Sequence, residues 1–202
     1  LMDALIRAKE KFGVGEELVE LYKKLNEAHH NGLLNVNHAV IQLILSAYLL
    51  SRGYRVYVEV DTGNGFADLF AERGKSLGVE VETGYVPPEV ATYPKEYLMG
   101  RISAKTARYS WSFDEFYIAV PKFYVPPIPP QLLLDPSQRT EDDNRALMEI
   151  ARRVTKAPDL TLSDFKRSRI DGLISVDVDE LEVEVVERET LRSVLQKFYK
   201  YK

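Results

Sequence analysis

The sequence predicts an α/β fold in which a mixed central β-sheet is flanked by helices. A strongly apolar helix precedes three β-rich segments joined by short turns, and a second helix precedes a fourth β-rich segment. The chain has 202 residues, of which 45% are hydrophobic and 29% are charged. Such a chain can bury a core beneath an ordinary polar surface, so we expect a single domain over residues 1–202.

Helical patterns fill the N-terminal part of the chain. Apolar residues recur at three- and four-residue spacing in the first 30 residues, which predicts a helical extension over residues 1–34. The next helix is expected from His38 to Arg52, with Asn35 or Asn37 as its cap and Gly53 after its end. Its polar residues recur every four positions and form one stripe, made of His38, Gln42 and Ser46.

Four strands are predicted within a core that we place at residues 35–121. They are expected at residues 54–60, 66–72, 79–83 and 113–121. The turn-forming strings DTGNG and RGKSLG join the first three into an antiparallel meander. A helix from about Tyr93 to Tyr109 separates the third strand from the fourth.

Helices and a hairpin are predicted after the core. The proline-rich residues 122–139 are expected to form a stiff loop over the surface. Thr140 with Asp143 resembles a capping box for a helix through about Val154. The rest of residues 140–202 is expected to form a short helix at SDFKRSR, a hairpin at GLISVDVDELEVEVVE and a terminal helix.

The composition excludes several classes of function. The absence of cysteine removes disulfides, thiolate zinc sites and cysteine nucleophiles, and no phosphate loop or serine elbow is present. No apolar stretch reaches the roughly 18 residues that span a bilayer, and no signal-peptide pattern opens the chain. We therefore expect a cytoplasmic protein without membrane contact. Its many charged, tyrosine and proline residues also favour a thermophile source.

Three carboxylates fall in the second and third predicted strands, among apolar neighbours. They are Asp68 in GFADLFAE, and Glu80 and Glu82 in GVEVETG. Residues i and i+2 of a strand share a face, so Glu80 and Glu82 point the same way and Asp68 can converge on them. Carboxylate oxygens suit Mg²⁺, which can activate water and offset charge on a phosphate. The pattern predicts a metal site, with Glu59 as an extra candidate ligand; it also fits a half-exposed strand with solvent-facing glutamates.

The order of these elements resembles the core of the PD-(D/E)XK nuclease superfamily. The match runs through NHAVIQLILSAYLLSRGYRVYVEV, GFADLFAE, GVEVETG and FDEFYIAVP, within residues 35–121. The resemblance implies a restriction-endonuclease-like core, similar to that of archaeal resolvases. It also implies hydrolysis of DNA phosphodiester bonds by metal-activated water, with Mg²⁺ or Mn²⁺ as the cofactor.

On this resemblance, Asp68 and Glu80 occupy the acidic motif positions and are metal ligands. The last motif position is usually a lysine that positions the attacking water; here it is Glu82, as in some restriction enzymes of the superfamily. Glu82 then binds metal or orients water, and either Lys75 or Lys105 supplies the positive charge. The missing lysine and the net charge of −4 also fit a catalytically inactive module that binds nucleic acid or a partner protein.

Basic residues follow the third strand on the helix predicted from Tyr93. Arg101, Lys105 and Arg108 share a face by their spacing, and Lys95 extends the strip. With Lys75, this strip is expected to contact DNA phosphates; it also fits a solvated helix face. Because paired cuts need paired sites, a homodimer is a further expectation.

Overall fold

The computed structural model describes residues 1–63, 65–155 and 159–199. Within these residues the chain forms seven α-helices and six β-strands. The helices are α1 (Met2–Phe12), α2 (Glu16–His30), α3 (Val36–Ser51), α4 (Pro94–Tyr109), α5 (Glu141–Val154), α6 (Leu162–Arg167) and α7 (Arg188–Tyr199). The strands are β1 (Arg55–Asp61), β2 (Phe66–Arg73), β3 (Lys75–Val81), β4 (Glu115–Pro121), β5 (Gly172–Asp177) and β6 (Glu182–Glu187).

The strands form one mixed sheet in the order β1-β2-β3-β4-β5-β6. The pairs β1–β2, β2–β3 and β5–β6 are antiparallel, whereas β3–β4 and β4–β5 are parallel. Parallel neighbours need a crossover connection, and α4 supplies it between β3 and β4. The predicted α/β class, with a mixed sheet flanked by helices, is confirmed.

Hydrophobic residues pack on both faces of this sheet. Along β4, Phe116 and Ile118 belong to one cluster and Tyr117 and Ala119 to the other, as strand alternation requires. The first cluster also contains buried residues of α4, α5, α6 and α7, and the second contains those of α1, α2 and α3. The site described below lies where α3 and α4 approach the central strands.

The N-terminal helices follow the prediction, with one break. Gly13 adopts a left-handed conformation (φ 65°) and separates α1 from α2. The side chain of Asn35 accepts a hydrogen bond from the Asn37 N–H at 2.9 Å, so Asn35 is the cap of α3. None of the helices in the described ranges is long and apolar enough to cross a membrane.

The predicted turn at RGKSLG is wrong in its extent. Gly74 alone makes the turn, with φ 78°, and β3 begins at Lys75. Gly78 is a strand residue that pairs with β2 and β4, and the Phe113 ring covers it: a Cβ there would lie 2.2 Å from that ring. The glycine that suggested a turn is therefore needed for close packing instead.

The proline-rich residues 122–139 do not form an excursion over the surface. They contain two short 3-10 turns, Pro130–Leu133 and Pro136–Gln138. Ile128, Leu132 and Leu133 are buried in the cluster that includes α4. The prediction of a surface loop is corrected, because these apolar side chains tie the segment to the core.

The C-terminal elements agree with the prediction. Thr140 and Asp143 form a reciprocal capping box at the start of α5. The short helix is α6, the hairpin is formed by β5 and β6, and the terminal helix is α7. The last three predicted residues of that helix, 200–202, lie outside the described residues.

Candidate functional site

Asp68 and Glu80 occupy opposed positions where β2 and β3 stop pairing through their backbones. Leu69 and Val79 are the last registered pair before them. Beyond that pair the side-chain carboxylates accept the hydrogen bonds of the opposite strand. Glu80 Oε1 accepts from the Asp68 N–H at 3.0 Å, and Asp68 Oδ2 accepts from the Val81 N–H at 2.7 Å. The two acids are thus held by the diverging strands themselves.

Lys105 brings a positive charge between these two carboxylates. It reaches down from α4, with its Nζ 2.7 Å from Glu80 Oε2 and 3.3 Å from Asp68 Oδ2. The side chain of Glu80 is 1% exposed and that of Asp68 is 10% exposed. Both carboxylates therefore meet at one largely buried cation position.

Two residues of the polar stripe of α3 contact acids, one at Asp68 and one at Glu59. His38 Nε2 lies 3.1 Å from Asp68 Oδ2, and Gln42 Nε2 donates to Glu59 Oε1 at 2.7 Å. Glu59 is a non-glycine residue with positive φ (49°), a conformation that costs about 1–3 kcal/mol and clusters at functional sites. The stripe was visible in the sequence, but its partners required the fold.

The pKa values of the two acids are shifted in opposite directions. Burial raises the pKa of Asp68, but Lys105, His38 and the Val81 N–H outweigh it and hold the pKa below its ordinary value. Burial and the charge of Asp68 raise the pKa of Glu80, and Lys105 offsets only part of that rise. Burial lowers the pKa of Lys105, but Asp68 and Glu80 overcome it and raise the pKa.

Glu82 is held apart from this group. It follows the last residue of β3, and its Oε2 lies 3.2 Å from Arg101 Nε while its Oε1 accepts from the Gly84 N–H at 2.9 Å. No ion pair joins Glu82 to Lys105 among the described residues. Glu80 and Glu82 are 1% and 2% exposed, which excludes the alternative of solvent-facing glutamates.

The predicted basic strip lies on α4, but its members have partners. Arg101 pairs with Glu82, Lys105 with Asp68 and Glu80, and Arg108 Nη2 lies 3.2 Å from Asp159 Oδ2. The Nζ of Lys95 lies 5.0 Å from the centre of the Tyr199 ring. These cations therefore contact carboxylates and an aromatic ring of the protein itself.

Lys75 is not brought to the site. It is the first residue of β3 and Glu80 the sixth, so their Cα atoms lie about 16 Å apart at about 3.3 Å per residue. Its Nζ lies 3.5 Å from Glu115, and its side chain is 76% exposed. Of the two lysines left open by the sequence, only Lys105 contacts the acids.

The site offers two carboxylates, rather than three, for a shared ion. Within the described ranges, no group of three or more histidine, cysteine, aspartate or glutamate residues is arranged to hold a metal. Asp68 and Glu80 nevertheless present oxygen atoms to one cation position, and an all-oxygen donor set suits a hard cation such as Mg²⁺. The pair therefore fits a metal that would share or take the place of the Lys105 ammonium.

Comparisons with known proteins identify no relative of this chain. No protein-family model, no curated protein and no solved structure matches it.

Proposed function

We propose that the protein is a metal-dependent nuclease that hydrolyses DNA phosphodiester bonds with metal-activated water. The observation that carries the proposal is the meeting of Asp68 and Glu80 at one buried cation position, where β2 and β3 diverge. The succession α3, β1, β2, β3, α4, β4 agrees with the restriction-endonuclease-like core that the sequence resembles. The proposal extends to Mg²⁺ or Mn²⁺ as cofactor and DNA as substrate.

Asp68 and Glu80 are the residues that would hold the ion, which would activate water and offset charge building up on the phosphate. Their carboxylates are fixed before any ligand arrives, since backbone N–H groups of the opposite strand hold one oxygen of each. Fixed ligands need little reorganisation when charge develops, which favours catalysis. Glu82 would act indirectly, by holding Arg101 at the edge of the site.

Lys105 is the residue that would take the role of the motif lysine. Its ammonium lies against both acids and is 26% exposed, so one side of it can face a substrate. An ammonium group has three N–H donors, so contacts with two carboxylates leave one donor for a phosphate oxygen or a water. A lysine on α4 thus compensates for the glutamate at position 82.

A second candidate function has its own support. Every acid of the expected triad already contacts a cation of the chain, since Asp68 and Glu80 contact Lys105 and Glu82 contacts Arg101. Such neutralisation would keep the fold stable without a metal. It favours a catalytically inactive module that binds nucleic acid or a partner protein.

The decisive experiment is cleavage of linear, circular and branched DNA with Mg²⁺ or Mn²⁺. We expect Asp68→Asn and Glu80→Gln to lose about 100-fold or more in rate, at least the cost of losing an outer-shell partner of a metal. Asp142→Asn and Glu96→Gln are matched controls, because both residues are exposed and lie on α5 and α4. Wild type that cuts no faster than Asp68→Asn rejects catalysis.

Calorimetric titration with Mn²⁺ separates the two candidates without a substrate. The nuclease should bind Mn²⁺, and Asp68→Asn should abolish the heat of binding. An inactive module should give no heat that depends on Asp68. Folding of each variant is checked by its circular dichroism spectrum.

A further inference from the structure

A cleft of about 470 Å³ lies beside the candidate site. It is formed between α2, the segment that leads into α3, and the start of β2. Its walls include Lys24, Glu27, Asn31, Leu33, Glu59 and Phe66. Leu33 is 79% exposed and Phe66 is 61% exposed, so two large apolar side chains are offered to an occupant.

The cleft is adjacent to the acids of the site. Phe66 and Asp68 are residues i and i+2 of β2, so their Cα atoms lie about 7 Å apart along the strand. Glu59, which lines the cleft, is hydrogen-bonded to Gln42 on the stripe that also carries His38. An occupant of the cleft would therefore be about one nucleotide away from a phosphate placed at Asp68.

The charges around the cleft disfavour a phosphate inside it. The carboxylates of Glu27 and Glu59 are part of its walls. Lys24 does not balance them at the opening, because its Nζ donates to the carbonyl oxygens of Val58 at 2.6 Å and Glu59 at 3.1 Å. A neutral, flat and partly apolar group suits these walls better than an anion.

Two wall residues can recognise the edge of such a group. Glu27 and Asn31 are exposed, and within the described residues neither side chain makes a hydrogen bond or an ion pair. Carboxylate and amide oxygens accept from the exocyclic amino groups of adenine, cytosine and guanine. The ring of Phe66 provides a surface on which a base can stack.

The ion pairs made by the α4 cations also favour binding of a base over binding of phosphates. Arg101, Lys105 and Arg108 are already paired with carboxylates, so little positive charge remains on α4 to hold a duplex by its phosphates. Affinity must then come from another source. Stacking of unpaired bases on exposed aromatic rings is such a source, and it requires a strand whose bases are free.

We propose that this cleft binds an unpaired base with an exocyclic amino group, such as adenine, next to the phosphate that a metal at Asp68 and Glu80 would hold. The base stacks on Phe66 against Leu33, and its amino group donates to Glu27 or Asn31. The substrate class is accordingly single-stranded DNA, or DNA with an unpaired strand at the cut. This inference rests on the proposed function for its reaction, but the base pocket itself can be measured without any cleavage.

The test uses the full chain in a metal chelator, which prevents cutting, and a short single-stranded oligonucleotide that carries one fluorescent adenine analogue. We expect wild type to bind it, to quench the analogue by stacking, and to bind the matched duplex more weakly at the same salt concentration. Phe66→Ala should weaken the binding about tenfold or more and remove the quenching. The control is Phe198→Ala, because Phe198 on α7 is also 61% exposed and lies outside the cleft; it should behave as wild type.

Each result of this test either supports the base pocket or overturns it. Equal affinity of Phe66→Ala and wild type, or tighter binding of duplex than of single strand, overturns it. Absence of all nucleic-acid binding also overturns it, and the alternative occupant of the cleft is then an apolar side chain of a partner protein. If Phe66-dependent binding occurs but DNA is never cut with Mg²⁺ or Mn²⁺, the base pocket is supported and the nuclease proposal fails. If Phe66→Ala cuts DNA as well as wild type does, the nuclease proposal is supported and the base pocket fails.

Discussion

Two largely buried aspartates bridge gaps between strands of the same sheet, and they differ in the charge that surrounds them. Asp171 accepts from the Phe116 N–H at 2.9 Å and has two arginines nearby, with Arg169 Nε at 3.2 Å and Arg188 Nη2 at 3.7 Å. Asp68 accepts from the Val81 N–H at 2.7 Å in the same manner. It shares Lys105, however, with a second and more deeply buried acid, Glu80.

The difference teaches how to tell a structural carboxylate from a candidate functional one. A buried carboxylate costs stability unless it is neutralised, so an acid that only serves the fold should have enough positive charge beside it. Asp171 has two cations for one acid. At Asp68 and Glu80 two acids share one lysine, with His38 beside Asp68 alone, and the raised pKa of Glu80 reflects this smaller share of positive charge.

The largest effect is expected from removing that lysine. Lys105→Met removes the ammonium that contacts both buried acids. The loss should cost about 3 kcal/mol in the free energy of unfolding, the low end for a broken buried pair, because Glu80 can take up a proton. Urea unfolding followed by circular dichroism measures the loss.

Arg188→Met is the matched variant at the other aspartate. Asp171 retains Arg169 there, so the cost should stay below about 1 kcal/mol, as for a partly exposed pair. Equal losses in the two variants would show that the charge balance at the two aspartates is the same in energetic terms.

The next effect is on the pH dependence of stability, and it comes from Glu80. Its pKa is raised in the folded state, so its contribution to stability is complete below the unfolded value of about 4.3 and is lost as the pH rises through the raised folded value. Wild type should therefore lose stability between about pH 5 and pH 8 relative to Glu80→Gln, by at most about 1.4 kcal/mol per pH unit. Unfolding curves at several pH values measure this, and parallel profiles for the two proteins would contradict it.

The acids themselves could be found from the sequence, because strand alternation and turn positions are local properties. Asp68 and Glu80 stood out as carboxylates among apolar strand residues, and the fold places them opposite each other. Lys105 could be named but not chosen over Lys75. The choice depends on where β3 begins. The sequence suggests that Gly78 belongs to a turn, whereas Gly78 packs against Phe113 within the strand.

Other features depended on contacts that sequence spacing does not encode. Glu82 shares the strand face of Glu80 by alternation, but β3 ends at Val81 and Arg101 draws the carboxylate away. The burial of the proline-rich segment was missed because Ile128, Leu132 and Leu133 have neither helical nor strand periodicity. In both cases a tertiary partner, rather than the local pattern, decides where the side chain goes.

A smaller effect on activity is expected at Glu82. Because its carboxylate is bound by Arg101 and the Gly84 N–H, Glu82→Gln should lower the DNA cleavage rate by less than about tenfold, the low end of the range for an outer-shell partner. Glu80→Gln should cost far more in the same time course. The reverse order would mean that Glu82, as the motif position implies, reaches the metal directly.

The smallest effect is expected at Lys75, which marks the far end of the same strand. Its ammonium is exposed and lies 3.5 Å from Glu115, so Lys75→Ala should change the free energy of unfolding by no more than about 0.5 kcal/mol. About 16 Å of strand separates it from Glu80, so the rate of DNA cleavage should not change. The unfolding free energy and the cleavage rate of Lys75→Ala are measured together with those of Lys105→Met. A loss of cleavage in Lys75→Ala would mean that the substrate also contacts the exposed start of β3.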